Sequence, residues 1–235
     1  MANPVISKVG EFHTYGSDAA TYEGVAIKSL VLVGIVTVSA LITWVMGYAT
    51  EETGSVAVIM GFFVALAIIS APEWAGFLSP LFAMLDGIVF ASIAVISEKI
   101  YPGIVINAVM ITCGIAISSA LIYAKGYVKV NDGYMRAVSM ATLGIFLTYL
   151  LEFVLRFFGV NISMIHQGGV VGIIFSLVVI CIITLYLFID YEKINKSVQQ
   201  GLPAEYEWYC AFGLLVTLGW LYLEILDFLR KLKEE

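Results

Sequence analysis

Long runs of apolar side chains constrain the fold of this sequence more than any other feature. About 20 apolar residues in a helix span the hydrocarbon core of a bilayer. On that criterion the sequence predicts seven transmembrane helices, at residues 27–49, 55–72, 76–97, 102–124, 137–158, 168–190 and 207–230. We therefore expect an all-α, polytopic integral membrane protein with a polar tail at 1–26, a membrane domain at 27–230 and a charged tail at 231–235.

Composition and charge exclude several classes of protein. Hydrophobic residues make up 61% of the 235 residues and charged residues 13%, whereas soluble domains carry about 25% charged residues. The net charge of −6 leaves no basic surface for phosphates, so no nucleic-acid partner is expected. The three cysteines lie in apolar runs without a CxxC pair, and no HExxH or GxSxG motif occurs. We expect neither an enzyme nor a bound cofactor, apart from calcium as a transported ion.

The distribution of Lys and Arg predicts the orientation in the membrane. Residues 1–26 lack the apolar region of a signal peptide, so the first helix is expected to direct insertion. With seven spans, the side that carries the N-terminus collects seven of the 12 basic residues. Because positive loops stay in the cytoplasm, we expect a cytoplasmic N-terminus and an outside C-terminus in the cell (inner or plasma) membrane.

Small residues recur inside the predicted helices. Such residues allow helix backbones to approach closely in a bilayer, where no hydrophobic force drives helices together. The pattern predicts close packing of a compact helix bundle. The residues concerned are Ser39 with Ala40, Gly61, Ala65 with Ala67, Gly87 with Ala91, Gly114 with Ser118, and Gly144.

Several carboxylates lie within the apolar runs, where each costs about 2.5–3.5 kcal/mol on insertion scales. Asp86 has no basic residue one turn away in either direction, so it either has an ion- or proton-linked function or bonds to a neighbouring helix. Glu224 also lacks a base one turn away, and it either functions in the membrane or reaches the interface. Asp227 has Arg230 and Lys231 one turn later, which predicts an ion pair.

A further carboxylate, Asp190, closes the sixth predicted span in the stretch LYLFIDYEKINK. The predicted Tyr191–Tyr206 loop leads from it to the acidic start of the seventh span, which contains Glu207. Carboxylates held near one another share a proton, so Asp190 and Glu207 could form a proton switch and supply oxygens for calcium. When it is ionised, Asp190 should pair with Lys193 or with a donor on another helix.

Four segments together resemble the Bax inhibitor-1 family of transmembrane proteins (transmembrane Bax inhibitor motif proteins), and most closely its prokaryotic branch. The resemblance covers about residues 27–230 and implies a seven-helix bundle whose last helix is central, wrapped by the other six. The segments are EWYCAFGLLVTLGWLYLEIL (207–226), LYLFIDYEKI (185–194), YPGIV (101–105) and SPLFAMLDG (79–87).

The same resemblance implies a pH-sensitive calcium leak that is gated by two aspartates, one at the end of the sixth helix and one in the seventh. The first corresponds to Asp190, whereas Thr217 stands at the position of the second. The arginine that joins these aspartates from the second helix has no counterpart in 55–72. The expected ion- or proton-sensing residues are therefore Asp190, Asp86, Glu207 and Glu224.

Two functions from different classes follow. The first is a pH-sensitive calcium (cation) leak channel or transporter, whose partners are the lipid bilayer and calcium or protons. The alternative is a non-conducting regulatory protein that binds another membrane protein, such as a quality-control protease, through its tail and loops. In that case the buried acidic residues would be structural. Calcium flux into proteoliposomes distinguishes the two.

Overall fold

The described part of the chain folds into seven long helices. The computed structural model describes residues 19–158 and 169–234, without the side chains of residues 152, 153, 156 and 157. The helices are α1 Tyr22–Val45, α2 Glu51–Ser70, α3 Ala75–Ile100, α4 Ile104–Ala124, α5 Asp132–Phe157, α6 Val170–Gln199 and α7 Tyr206–Lys233. All seven contain segments long and apolar enough to cross a membrane, which confirms the predicted number of spans. Most of the predicted 1–26 tail lies outside the described residues.

Capping residues determine where the first two helices begin. Helix α1 starts at Tyr22, five residues earlier than predicted, because the Thr21 hydroxyl accepts a hydrogen bond from the amide of Gly24 at 2.9 Å. Helix α2 starts at Glu51 with a reciprocal capping pair between Thr50 and Thr53. Such polar caps satisfy the free amides of a first helical turn. A hydropathy criterion does not detect them, so it placed both starts too late.

The end of the sixth helix differs most from the prediction. Helix α6 continues to Gln199, so Asp190 lies inside the helix and does not end it. The first nine residues of the predicted Tyr191–Tyr206 loop are helical. Glu192 and Lys196 form an i,i+4 ion pair at 3.5 Å, which favours the helix after the apolar run has ended. The predicted 16-residue loop was therefore wrong, and only residues 200–205 connect α6 to α7.

The chain divides into two compact units. The first comprises Met1–Ile93 with Glu192–Leu215, and the second comprises Ala94–Tyr191 with Val216–Glu235. One core cluster of the first unit joins three helices: Leu32 and Val36 from α1, Ala83 from α3, and Ala211 and Leu215 from α7.

Helices α1 and α3 approach closely at small residues within the first unit. A Cβ atom on Gly87 would lie 2.5 Å from the carbonyl oxygen of Val36 and 2.8 Å from Cβ of Ser39. The Ser39 hydroxyl donates a hydrogen bond to the carbonyl of Met84 at 2.7 Å. These contacts confirm the close packing predicted from the small residues of this helix pair.

Helix α7 is the most buried of the seven. Half of the residues in its most apolar window are buried, compared with 11–39% for the other helices. The central position of the last helix stays an expectation from the family resemblance. The buried polar side chains of α7, which include Thr217, Glu224 and Lys231, therefore need partners within the protein.

Candidate functional site

Asp190 and Thr217 form a buried hydrogen bond between α6 and α7 in the second unit. The Thr217 hydroxyl donates to Oδ2 of Asp190 at 2.5 Å. Both residues are almost fully buried, with exposed fractions of 6% for Asp190 and 5% for Thr217. A hydroxyl donor at this distance is typical of a charge-assisted hydrogen bond to a carboxylate. Thr217 is therefore a donor from another helix, one of the two partners expected for Asp190.

The nature of the Thr217 side chain determines the chemistry of this contact. A hydroxyl donates a hydrogen bond to a carboxylate, but it does not ionise at physiological pH. Two carboxylates at the same distance would instead share one proton. At the position where the family resemblance implies a second aspartate, this chain thus has a hydroxyl donor that does not itself change charge with pH.

Neighbouring contacts hold the Asp190 region in place. The next residue, Tyr191, bonds through its hydroxyl to Ser119 Oγ and to the carbonyl of Ala116, both at 3.2 Å on α4. The Tyr134 hydroxyl of α5 donates to the carbonyl of Leu185 at 2.8 Å. Helix α6 is therefore hydrogen-bonded to two other helices of the second unit near Asp190, which restrains the backbone that carries this carboxylate.

Glu207 has a separate set of partners in the first unit. Its Oε1 accepts hydrogen bonds from the amide of Thr21 at 2.7 Å and from the Thr21 hydroxyl at 3.1 Å. Its Oε2 pairs with Lys28 Nζ at 2.5 Å. Lys28 also donates to the carbonyl of Ala204 at 3.1 Å and lies 5.6 Å from the ring centroid of Trp208.

These contacts indicate a structural role for Glu207. A carboxylate near the N-terminus of a helix is stabilised by the free amides and the helix dipole, and Glu207 lies near the N-termini of both α1 and α7. It joins the start of one helix to the start of the other. The role of Glu207 in proton sensing stays a prediction. Lys28, its ion-pair partner, was not identified from the sequence.

Asp86 lies near the middle of α3 and is partly buried. Phe82 and Phe90, one helical turn before and after it, pack against the first unit's core. Within the described part of the chain, no hydrogen bond or ion pair of Asp86 is found. The alternative of a structural hydrogen bond to a neighbouring helix therefore has no support among these residues, and the functional prediction for Asp86 remains open to test.

Glu224 belongs to a buried polar cluster in the second unit. Its Oε2 accepts a hydrogen bond from the Tyr149 hydroxyl of α5 at 2.9 Å. Its other oxygen, Oε1, is buried without a hydrogen-bond partner among the described residues. The exposed fraction of Glu224 is 5%. One of the two alternatives from the sequence required this side chain to extend to the membrane interface, and its burial does not support that alternative.

Lys231 lies in the same cluster and is one of the most buried side chains of the protein, with 1% exposed. Its ammonium group pairs with Asp227 Oδ2 at 2.7 Å and donates to the Ser176 hydroxyl of α6 at 2.8 Å. Arg230 also pairs with Asp227, at 2.5 Å. The predicted ion pairs of Asp227 are therefore confirmed. The burial of Lys231 and the contribution of Ser176 were missed.

A spacing of seven residues relates the polar positions of α7. Thr217, Glu224 and Lys231 are all buried, and each lies two helical turns, about 10.5 Å, from the next. They therefore lie on one face of the most buried helix. Comparing residues three or four positions apart in the sequence does not reveal this polar face, whereas comparing residues seven positions apart does.

None of the predicted residues forms a metal centre with three or more His, Cys, Asp or Glu side chains anywhere in residues 19–158 and 169–234. Asp190 Oδ2 accepts from Thr217, and the oxygens of Glu207 contact Thr21 and Lys28. The four predicted sensing residues thus have different surroundings: a hydroxyl for Asp190, a cation for Glu207, a phenol for Glu224, and aromatic neighbours along the helix for Asp86.

Comparison with known families places the chain in a family and does not test the roles of these residues. The family described as Bax inhibitor 1 like matches residues 3–234, which is nearly the whole chain. Comparisons with curated proteins and with solved structures gave no match. With its seven apolar helices and a family match along almost its full length, the chain belongs to the Bax inhibitor 1 like family.

Proposed function

We propose that this protein is a cation leak of the membrane, with calcium as the conducted ion, and that the contact between Asp190 and Thr217 holds it closed. Family membership supports this proposal, because the resemblance implies a calcium leak gated at these two positions. The single observation that carries it is the buried hydrogen bond from Thr217 to Asp190 Oδ2 at 2.5 Å. The carboxylate and the hydroxyl are oxygen groups of the kind that hard cations prefer.

The proposed gate responds to the protonation of Asp190. A hydrogen bond to a charged group contributes about 1.5–3 kcal/mol, and a neutral hydrogen bond about 0.5–1.5 kcal/mol. Protonation of Asp190 would therefore weaken its bond to Thr217 by roughly 1 kcal/mol, which is about a fivefold change in the open population. The leak should increase as the pH falls.

A second aspartate would reverse this response. Two carboxylates at this position would share a proton at low pH and repel each other after losing it, so the closed state would weaken as the pH rises. Thr217→Asp introduces the second carboxylate at the position that contacts Asp190. The sign of the pH dependence thus distinguishes a gate with one carboxylate from a gate with two.

Calcium flux into liposomes tests the proposal. Purified protein is reconstituted with an indicator dye inside, and flux is measured between about pH 5 and pH 8 for the wild type, Asp190→Asn and Thr217→Asp. Asp132→Asn is the matched control, because Asp132 is an exposed carboxylate at the start of α5. We expect wild-type flux to increase at low pH, Asp190→Asn to flatten the profile, Thr217→Asp to reverse it, and Asp132→Asn to leave it unchanged.

Two results would contradict the proposal in different ways. Flux in the wild type that is no greater than in empty vesicles at every pH would favour the alternative, a non-conducting regulator of another membrane protein. Flux with a profile that Asp190→Asn leaves unchanged would support a leak and remove Asp190 from its gate.

A further inference from the structure

Lys231 is a cation enclosed by oxygen atoms inside the second unit. Its ammonium nitrogen lies 2.7 Å from Asp227 Oδ2 and 2.8 Å from Ser176 Oγ. The carboxyl of Glu224 interacts electrostatically with both Asp227 and Lys231. A carboxylate and a hydroxyl thus contact a positive charge that is almost completely buried, and the Glu224 carboxyl lies close enough to interact with that charge.

The cluster contains a buried acceptor, Oε1 of Glu224, for which the described residues supply no donor at hydrogen-bond geometry. The other oxygen, Oε2, accepts from Tyr149, and the Ser176 hydroxyl lies close enough to the Glu224 carboxyl to interact with it. An unpaired acceptor in a buried site costs about 1–3 kcal/mol, and more when it is charged. A cation within the cluster would satisfy this oxygen directly. The geometry therefore resembles a binding site for a hard cation in which a side chain occupies the place of the ion.

We propose that Glu224, Asp227 and Ser176 form a cation-binding site and that the ammonium group of Lys231 fills it as a tethered plug. The ligand is a hard, oxygen-seeking metal cation, with calcium as the probe. The inference concerns binding, so it does not depend on conduction. If the leak proposed above also holds, the plug closes the cation path near the C-terminal end of α7, whereas Thr217 lies near the middle of that helix.

Charge balance supports this assignment. With both carboxylates ionised, Glu224 and Asp227 carry two negative charges, and Lys231 and Arg230 carry two positive charges. Arg230 has its own bond to Asp227 at 2.5 Å through the other carboxylate oxygen. Removal of the Lys231 charge leaves the cluster negative and leaves Asp227 Oδ2, Ser176 Oγ and the Glu224 carboxyl available as ligands.

Aromatic residues next to Glu224 allow metal binding to be detected by luminescence. Trp220 lies one turn before Glu224 on α7, and the Tyr149 hydroxyl bonds to Glu224. Both residues line a cavity of about 450 Å³ together with Thr142 and Tyr186. Terbium replaces calcium at oxygen sites and emits light when nearby aromatic rings are excited. A terbium ion at Glu224 should therefore emit upon excitation of Trp220 or Tyr149.

The experiment measures terbium emission and its displacement by calcium with the full-length protein in detergent. The variants are Lys231→Met, the double variant Lys231→Met with Glu224→Gln, Lys231→Arg, and Lys233→Met. Lys233 is the matched control because it is an exposed lysine two residues away. Lys231→Met should bind terbium at least about tenfold more tightly than the wild type. The double variant should lose that gain, and Lys231→Arg and Lys233→Met should behave as the wild type.

A second variant keeps the test valid if the buried methionine prevents folding. Lys231→Gln removes the charge and keeps a side chain that can donate to Ser176. Calcium should raise the unfolding temperature of this variant and leave that of the wild type unchanged. The inference is overturned if the folded Met and Gln variants both bind terbium no more tightly than the wild type. It is also overturned if Glu224→Gln leaves the gain intact.

Discussion

Replacement of Thr217 by valine removes the proposed gating contact with the least change in shape. The two side chains are nearly the same size, so only the hydroxyl that donates to Asp190 Oδ2 is lost. Loss of one partner of a buried hydrogen bond costs about 1–3 kcal/mol, and more when the remaining group is charged. Both residues here are at least nine-tenths buried, so water cannot easily replace the donor. We expect a loss of about 2 kcal/mol in the stability of the closed protein.

The assays combine unfolding and flux. A loss of about 2 kcal/mol lowers the unfolding temperature by about 4–8 °C in a chain of this size, and the weaker closed state should raise calcium flux about tenfold or more. Thr217→Ser is the control, because serine retains the hydroxyl and should remain close to the wild type in both assays. If Thr217→Val unfolds at the wild-type temperature and conducts at the wild-type rate, the hydrogen bond does not hold the gate.

Three further predictions follow from contacts in the first unit. Gly87→Ala should lower stability by about 1–3 kcal/mol in thermal unfolding, because its Cβ would overlap the α1 backbone, whereas Gly34→Ala, which meets open space, should not. Lys28→Met should lower the free energy of unfolding by about 2–4 kcal/mol, since it leaves the buried Glu207 carboxylate without its cation. Lys28→Arg keeps the positive charge and should retain most of the wild-type stability. Asp86→Asn should leave the unfolding temperature equal or higher while it reduces calcium flux; a clear loss of stability would show that Asp86 is structural.

The number and order of the helices followed from hydropathy alone, because lipid requires a long apolar helix for each crossing. The ends of the helices did not follow. Helix α6 extends beyond its apolar run through a helix-favouring segment with an ion pair between Glu192 and Lys196. Hydropathy records only the apolar part of such a helix, so Asp190 was assigned to a helix end although it lies inside.

The partners of the buried charges show the second limit of sequence reasoning. Glu207 pairs with Lys28 across 179 residues of chain, and Lys231 donates to Ser176 across 55 residues. No local pattern records such contacts, because they depend on which helices become neighbours. The hydrogen bond from Thr217 to Asp190 was not predicted either. The family resemblance only placed Thr217 at the position of the second aspartate, and the named partners expected for Asp190 were Lys193 and Glu207.

The pH profile of calcium flux in the wild type and Asp190→Asn tests the central claim most directly. Both proteins are reconstituted at equal density, and flux is compared with empty vesicles between about pH 5 and pH 8. The account predicts wild-type flux that increases as the pH falls and an Asp190→Asn profile that is flat. Flux at the level of empty vesicles throughout, or an Asp190→Asn profile that overlays a pH-dependent wild type, would contradict it.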